Sequence, residues 1–467
     1  MKKIFYAVTT LTFFVTACTK DLEQLPVTDK ELSKFLTSEI EVEEYVVSTY
    51  ASLQVNGLYG LYLPAMGEIP SDNTFDEVPA NDGAIYGDLD EFKTIAQNGM
   101  IADNWRASYV TIQRSNVVLS RIENVPFRVA ATKNARIGEM KFIRALIYFN
   151  LVQLYGDVPL TINETKDPNF YFGKGRQPVA EVYNQIIKDL TEAIQVLPAT
   201  TTQVGRVVKT AAQSLLGKVY LTQKKYADAK IQLDAVVASN THILLPSVAD
   251  IFSLTNENNR EIIFAVQFAS GVNSNTEGSI MYQQFAPTGL ISGAKGHNLP
   301  TRELYNKYML TDTRRGNYVA LTSGNVPFNN KLKRPTIAPT DGGSDVVVLR
   351  FADVLLMQAE VENELGNTIA AQAAINKVRN RAGLANTGAT LQPDLATAIE
   401  LERRLELVGE GYRWLDLLRT GKAIATMNAW FISQGRPITV TPKFLLLPIP
   451  QNQIDTDPTI KQNAGYN

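Results

Sequence analysis

Apolar residues recur with helical periodicity over long stretches of this chain, and this pattern constrains the fold more than any other feature. The periodicity predicts helices over residues 102–122, 135–155, 179–196, 210–238, 351–382 and 394–419. Most of the glycine, proline, asparagine and aspartate falls between them, in residues 56–100, 157–177, 240–348 and 420–467. The sequence therefore predicts a mainly α-helical protein with long, irregular, loop-rich insertions and little β structure.

Two of these helical segments carry the same spacing of small and large apolar residues. Offsets of 12, 16 and 19 residues occur twice, in the sets Gly217, Ala229, Leu233, Val236 and Ala359, Ala371, Ile375, Val378. Small residues at the first two positions let two helices approach closely, and the larger residues fill the groove one turn further on. Each set therefore predicts a helical hairpin.

The first set resembles the packing code of a tetratricopeptide hairpin, because Leu216 precedes Gly217 and Tyr220 follows three residues later. The second set is looser, with Glu362 at the tyrosine position. Two unrelated amphipathic hairpins with a common spacing are the alternative. We expect tetratricopeptide-like hairpins that form a superhelical scaffold, near residues 102–155, 179–238 and 351–419. Tandem hairpins of this kind usually bind partners, which favours a binding role without proving it.

The N-terminus has the parts of a bacterial lipoprotein signal. Residues 1–3 are largely basic, residues 4–15 are mostly apolar, and a threonine and an alanine lead into Cys18. The apolar run is too short to span a bilayer, which takes roughly 20 residues. Cys18 is the only cysteine of the chain, and acylation explains an unpaired thiol in an exported protein. The sequence therefore predicts a signal peptide over residues 1–17, lipidation at Cys18 and a single domain over residues 18–467; a plain signal peptide with an incidental cysteine is the alternative.

Charge and histidine content argue against several classes of function. The chain has 45 basic and 47 acidic side chains, a formal net charge of −2, which provides no electrostatic footprint for nucleic acid. His242 and His297 are the only histidines and are far apart in sequence, so a zinc site or a histidine-based catalytic site is poorly supplied. Motifs of serine hydrolases, zinc proteases and phosphate-binding loops are missing. The sequence predicts no enzyme, no cofactor and no metal site; calcium binding by the acidic stretch 76–91, which lacks EF-hand spacing, is an alternative.

Motifs along the whole chain resemble those of the SusD/RagB family of nutrient-uptake outer-membrane lipoproteins, found in Bacteroidetes. They are YVTIQRSN (109–116), GEMKFIRA (138–145), QLYGDVPL (153–160), LRFADVLL (349–356), NKVRNRAG (376–383), ERR (402–404), GYRWLDLLR (411–419), LPIP (447–450) and QNAGY (462–466). Their order and spacing match the family from the lipidation signal to the C-terminus.

The resemblance implies a lipoprotein on the outer leaflet of the outer membrane, at the cell surface. Family members bind an oligosaccharide, or sometimes another nutrient such as peptide. They form a lid over a SusC-like TonB-dependent transporter, and closure of the lid traps the ligand for uptake; they are not catalytic. A surface glycoside hydrolase, a peptide-binding member of the family and a tetratricopeptide scaffold that binds only proteins are the alternatives.

Sugar binding uses aromatic rings against the apolar faces of pyranoses, with amides, carboxylates and arginines on the hydroxyl groups. Such groups should lie on loops held by rigid helices, here residues 56–100 and 240–348. From chemistry and placement alone, the predicted ligand-binding residues are Asp72, Asn73, Tyr86, Trp105, Tyr282 and Tyr305. Further candidates of the same residue types are Tyr59, Tyr62, Phe75 and Asp82 in the first region and Gln283, Gln284, Phe285, Tyr318 and Phe328 in the second. Loop packing for the aromatics, a core position for Trp105 and turn capping for Asp72 and Asn73 are the alternatives.

Overall fold

The computed structural model describes residues 35–274 and 276–466, so the predicted signal peptide and Cys18 lie outside the described residues. In chain order the α-helices are α1 (Glu39–Ala51), α2 (Tyr62–Glu68), α3 (Gly87–Asp90), α4 (Gly99–Arg121), α5 (Ala130–Tyr155), α6 (Val179–Val196), α7 (Lys209–Thr222), α8 (Tyr226–Ala238), α9 (Met281–Phe285), α10 (Arg302–Lys307), α11 (Arg314–Asn317), α12 (Phe351–Glu364), α13 (Thr368–Arg381), α14 (Gln392–Glu406), α15 (Arg413–Arg419), α16 (Ala423–Ser433) and α17 (Gln451–Thr456).

The strands of the described residues are short and form antiparallel pairs. They are β1 (Thr74–Phe75), β2 (Ile262–Val266), β3 (Leu299–Pro300), β4 (Val319–Leu321), β5 (Pro327–Asn329) and β6 (Val346–Arg350). The pairs are β1 with β3, β2 with β6, and β4 with β5. The predicted mainly α-helical fold with little β structure is confirmed.

The long helices follow the predicted periodicity closely. The helix predicted over residues 179–196 is α6, and the segments 210–238 and 351–382 are the hairpins α7–α8 and α12–α13. The prediction of a loop-rich segment over residues 420–467 is wrong where α16 lies. The sequence pattern also missed α1, which contains three valines, Val42, Val46 and Val47, residues of modest helix propensity. In α1 and α16, burial of one face supplies the stability that propensity does not.

Successive helices pack side by side into one continuous layer. Helix α5 packs against α4 and α6, and α6 against α7. Helix α8 then packs against α12, so the intervening residues 240–348 form an excursion from the layer. Helix α12 continues the layer through α13 and α14. This succession of helices, each packed on the next, is the arrangement that the hairpin spacing predicted.

The small residue at position 217 is required by the closeness of α7 and α8. A Cβ atom at Gly217 would lie 2.7 Å from Leu233 Cδ2 and 2.9 Å from Leu233 Cγ. We expect Gly217→Val to destabilise the protein by about 1–3 kcal/mol, because overpacking forces side chains off their rotamers. Gln213→Val on the same helix, at a half-buried position, controls for the helix propensity of valine. Equal unfolding midpoints in chemical denaturation for the two variants would contradict this account.

A buried ionic network joins α14 to the loop-rich excursion and to the start of α12. The Glu406 carboxylate accepts hydrogen bonds from Arg350 at 2.7 Å, from Arg314 at 3.0 Å and from Arg381. Burial alone would raise the pKa of Glu406, but the charges of Arg381, Arg350 and Arg314 outweigh it and hold that pKa well below its usual range. A helix arrangement that separated these buried charges would leave them without partners. The network therefore favours this one packing of α14 against the excursion and α12.

Candidate ligand-binding site

The structure brings the two predicted ligand-binding loop regions together. Strand β1 from the first region pairs with β3 from the second, with Thr74 opposite Pro300 and Phe75 opposite Leu299. Two further backbone hydrogen bonds extend the contact: the N–H of Thr301 donates to the carbonyl of Asn73 at 2.8 Å, and that of Glu77 donates to Gly296 at 2.9 Å. Sequence reasoning identified both regions but not this pairing, since a two-residue strand leaves no periodic signal.

His297 lies at the centre of the junction and holds both regions. It is fully buried, and its ring stacks on Tyr86 with centroids 4.1 Å apart. Its Nδ1 lies 3.1 Å from a carboxylate oxygen of Asp76, and its Nε2 lies 2.8 Å from one of Asp82. The sequence argued only against a zinc or catalytic role for the two histidines; the structure shows that His297 is buried and links the two loop regions.

Above this buried layer lies a surface formed by Tyr62, Asp82, Asp103 and Lys295, which we call the Tyr62 surface. Tyr62 is half-buried and meets the edge of Tyr86, with centroids 6.2 Å apart. Burial raises the pKa of the Tyr62 hydroxyl, and the nearby charges of Asp103 and Asp82 raise it further. The hydroxyl therefore remains protonated and able to donate a hydrogen bond at neutral pH.

The charged groups of the Tyr62 surface are held in pairs but remain accessible. Lys295 Nζ lies 2.9 Å from an oxygen of Asp82, with about a third of each side chain exposed. The hydrogen bonds from Lys295 and His297 lower the pKa of Asp82. Arg106 pairs with Asp103 at 2.8 Å on the exposed side of α4. Carboxylates and cations beside a tyrosine ring are a combination that can bind a polyhydroxylated ligand.

The loop that carries Asp82 has an unusual backbone. Asp82, Gly83 and Ala84 are consecutive residues with φ values of 50°, 70° and 60°. Left-handed conformations of non-glycine residues are uncommon and persist where the surroundings hold them. Here the contacts of Asp82 with Lys295 and His297 hold the turn. The conformation fixes the position of the Asp82 carboxylate at the surface.

Asp72 and Asn73 are buried beneath this region, with 6% and 1% of their surfaces exposed. Asp72 accepts hydrogen bonds from Arg413 at 2.7 and 3.0 Å. Burial opposes ionisation of Asp72, but the charges of Arg404 and Arg413 outweigh it and lower the pKa. Asn73 accepts from Arg404 at 2.8 Å and donates to Glu68 at 2.8 Å. These contacts tie the first loop region to α14 and α15, and ligand contact by either residue stays a prediction that their burial disfavours.

The four predicted aromatic residues do not lie together. Trp105 is buried on α4 with its ring edge-on to Tyr155, and Tyr86 is buried beneath Tyr62. Tyr282 is also buried, on α9. Tyr305 is half-buried elsewhere, with the guanidinium groups of two arginines, Arg302 and Arg315, 5.5 and 4.8 Å from its ring centroid. Of these, Tyr86 supports the Tyr62 surface directly, whereas ligand contact by any of them stays a prediction.

Acidic residues of the stretch 76–91 have protein partners. Besides the two aspartates on His297, Asp88 accepts from Asn98 at 3.1 Å and Asp90 accepts from Arg436 at 3.0 Å. Among the described residues, no group of three or more histidine, cysteine, aspartate or glutamate side chains is arranged to hold a metal ion. The same residues contain no helix long and apolar enough to cross a membrane.

Two carboxyl groups of the second loop region, those of Glu257 and Asp345, make stability depend on pH. Burial, followed by the charge of Asp345, raises the pKa of Glu257 to about 7, and burial raises the pKa of Asp345 to about 6. Because the pKa values of both groups are higher in the folded state than in the unfolded state, their protonated forms favour folding. This contribution to the free energy of unfolding is complete below about pH 4 and is lost as the pH rises through 6 to 7.

We therefore expect Glu257→Gln to raise the melting temperature at pH 8, where the parent carries a partly exposed Glu257 carboxylate close to the charge of Asp345, with little difference from the parent at pH 4. Thermal denaturation of both proteins across this range measures the effect. Glu123→Gln replaces a glutamate with 72% of its side chain exposed and serves as the control. A Glu257→Gln effect that is the same at pH 4 and pH 8 would rule out this electrostatic explanation.

Two family models match the chain. One is described as SusD family and matches residues 325–466; the other is described as starch-binding associating with outer membrane and matches residues 25–221. Among curated relatives, SusD-like protein P25 of Formosa agariphila is 27% identical, and the alignment covers 98% of this chain and 97% of that protein. SusD-like protein P2 of the same organism is 25% identical over the full length of both chains.

Solved structures match over most of the chain. A laminarin-binding SusD-like protein superposes with a TM-score of 0.79 at 29% identity, covering 92% of this chain and all of that one. Surface glycan-binding protein A from Bacteroides thetaiotaomicron, solved with laminarihexaose, superposes with a TM-score of 0.78 and covers 91% of this chain and all of that one. Its 22% identity makes it a likeness of fold alone.

Proposed function

This chain belongs to the SusD family, and we propose that it is a glycan-binding lipoprotein of the outer membrane. The two family models match residues 25–221 and 325–466, and the relative SusD-like protein P25 aligns with 98% of the chain. The observation that carries the proposal is the full-length likeness to a laminarin-binding SusD-like protein at 29% identity. The family-model description, which names starch binding and association with the outer membrane, supports the same ligand class.

The Tyr62 surface supplies the chemistry for glycan binding. One face of the Tyr62 ring packs against the C–H groups of a pyranose, while its hydroxyl and the carboxylates of Asp82 and Asp103 hydrogen-bond sugar hydroxyl groups. Lys295 donates from the second loop region to the same ligand. The buried contacts of His297 keep the two regions in register before the ligand arrives, which lowers the entropic cost of binding.

Capture is the first step of the proposed role and delivery is the second. Acylation of Cys18 holds the protein at the outer leaflet, because each buried methylene of a lipid chain contributes about 0.8 kcal/mol. The bound glycan then passes to a SusC-like TonB-dependent transporter, over which the protein acts as a lid. In this role the protein binds and releases its ligand without chemical change, so we propose no catalytic residue and no cofactor.

Isothermal titration calorimetry tests the proposal with the soluble chain that lacks Cys18. Laminarin oligosaccharides come first in the panel, followed by α-glucans, other plant and host glycans, and peptides. Saturable heat with one glycan class, and no product by chromatography, would support the proposal. Saturable heat with peptides alone would move the ligand to the peptide class, and release of shorter glycans would replace the binding role with an enzymatic one.

A further inference from the structure

An exposed cluster of aromatic side chains lies on the loop between α5 and α6 and is not part of the Tyr62 surface. We call Phe170, Tyr171 and Phe172 the aromatic tip. Phe170 and Phe172 are 56% and 57% exposed, and the rings of Phe170 and Tyr171 meet edge-on with centroids 4.8 Å apart. Two phenylalanines exposed to this extent, close together on one loop, are unfavourable in water and indicate a surface that contacts another phase or molecule.

The fold holds the aromatic tip in place. The N–H of Gly173 donates to Asp457 Oδ2 at 2.8 Å, which ties the loop to the C-terminal segment. Arg176 donates to Asn463 Oδ1 at 2.7 Å, and Gln177 pairs with Val158 in an isolated antiparallel bridge. Tyr171 and its neighbours are therefore presented on a segment that is tied to the scaffold on its C-terminal side.

Lysines lie on both sides of the aromatic tip. Lys174 Nζ lies 3.7 Å from the ring centroid of Phe170 and 4.9 Å from that of Tyr171. Lys166, four residues before Phe170, has 66% of its side chain exposed. Asp167 is the acidic residue between them, and its carboxylate accepts from the N–H of Asn169 at 2.9 Å. Exposed aromatic rings with flanking lysines are the side chains that settle at a membrane–water interface.

The described chain begins beside the same loop. The carbonyl of Phe35 accepts from Arg121 at 3.0 Å, and Arg121 also forms an ion pair with Glu164. Lys166 lies 3.9 Å from Glu164 and lines the same surface depression as Phe35. Phe170 is four residues from Lys166, so their Cα atoms are at most about 14 Å apart. The described chain therefore begins on the same side of the domain as Lys166, four residues before the aromatic tip.

We propose that the aromatic tip is a membrane contact, whose rings enter the headgroup region of the outer leaflet while Lys166 and Lys174 meet anionic headgroups. The inference rests on the proposed lipidation of Cys18, which brings this side of the domain to the bilayer. A lipid surface fits better than a protein partner, since three rings on a protruding loop fall far short of the roughly 800 Å² per side of a stable protein interface. It also fits better than a sugar, because Lys174 occupies a face of Phe170.

The test uses Cys18 as a chemical anchor. The soluble chain of residues 18–467 is coupled through its single thiol to a maleimide-headgroup lipid in phosphatidylcholine–phosphatidylglycerol vesicles, so that natural acylation is not needed. A Phe172→Trp variant reports contact through its emission wavelength and its quenching by brominated lipids. We expect a shift to shorter wavelength and at least twofold stronger quenching than in the parent, in which Trp105 and Trp414 are buried and Trp430 is half-buried.

Ile369→Trp, at an 85% exposed position on α13, is the matched control and should show no shift. Equal quenching of the two reporters would overturn the membrane contact, and so would a Phe172→Trp shift produced by laminarin oligosaccharide without vesicles. Glycan titrations of the same proteins report on the proposed ligand separately, and failure of glycan binding with strong Phe172→Trp quenching would leave the membrane contact standing.

Discussion

Replacing Glu406 by glutamine should lower the free energy of unfolding by about 3–5 kcal/mol, the cost of removing one partner from a buried ionic group. The substitution keeps the shape of the side chain but removes the charge that Arg314, Arg350 and Arg381 share. Each of the three guanidinium groups then loses a charged partner at a buried position and keeps only its ion pairs with the carboxylates of Asp312, Glu402, Glu261 and Glu410. Chemical denaturation followed by circular dichroism measures the change.

An exposed ion pair provides the comparison. Lys307 and Glu303 lie 3.1 Å apart on α10, with 47% and 34% of their side chains exposed. Lys307→Gln should cost less than about 1 kcal/mol, because solvent screens such pairs and their side chains are costly to order. If Glu406→Gln were as mild as Lys307→Gln, the network would contribute little to docking, and our account of the α14 interface would be wrong.

Tyr62→Ala should weaken glycan binding at least tenfold, or about 1.4 kcal/mol. The substitution removes the ring that faces the pyranose while leaving the buried stack of Tyr86 on His297 in place. Calorimetry with the best ligand of the panel measures the affinity, and thermal denaturation checks that the domain remains folded. Asp82→Asn should weaken binding less, because an amide keeps hydrogen-bonding capacity at the same position.

Tyr220→Ala is the control for loss of a tyrosine elsewhere. Tyr220 is half-buried on α7, in the hairpin layer, and its removal should leave the affinity unchanged. An unchanged affinity in Tyr62→Ala would exclude the Tyr62 surface as the glycan site, and a deficit shared by both variants would indicate general destabilisation. Neither result would bear on membership of the family, which rests on the whole chain.

The helical scaffold was predictable because its information is local. Each long helix shows a 3.6-residue period of apolar residues in its own sequence. The spacing around Gly217 reflects the contact between α7 and α8, which are adjacent in sequence. The α7–α8 and α12–α13 hairpins therefore appear in the pattern itself. Helices α1 and α16 were missed since their stability comes from the surfaces that they cover, which no local window contains.

The candidate site was only partly predictable, because its parts meet across long separations. Asp72 was predicted to bind ligand because it is a polar loop residue. In the structure it is buried and bound to Arg413, which lies 341 residues away in sequence. Tyr62 and Asp82 were noticed in the same loop region without a reason to prefer them. Lys295, which completes the surface, is an ordinary lysine in sequence and gains its role from the β1–β3 pairing.

The β1–β3 pairing also bears on how the protein matures. The bond between Thr301 and Asp72 closes a separation of 229 residues, whereas the hairpins join residues a few turns apart. Folding rates fall as the mean sequence separation of native contacts rises, since the loop-closure entropy precedes the stabilising contacts. The helical layer should therefore assemble first and the ligand surface last. In the proposed role as an exported lipoprotein, the emerging chain would thus remain unable to bind until residues 295–301 had been delivered, which separates synthesis from premature capture of ligand.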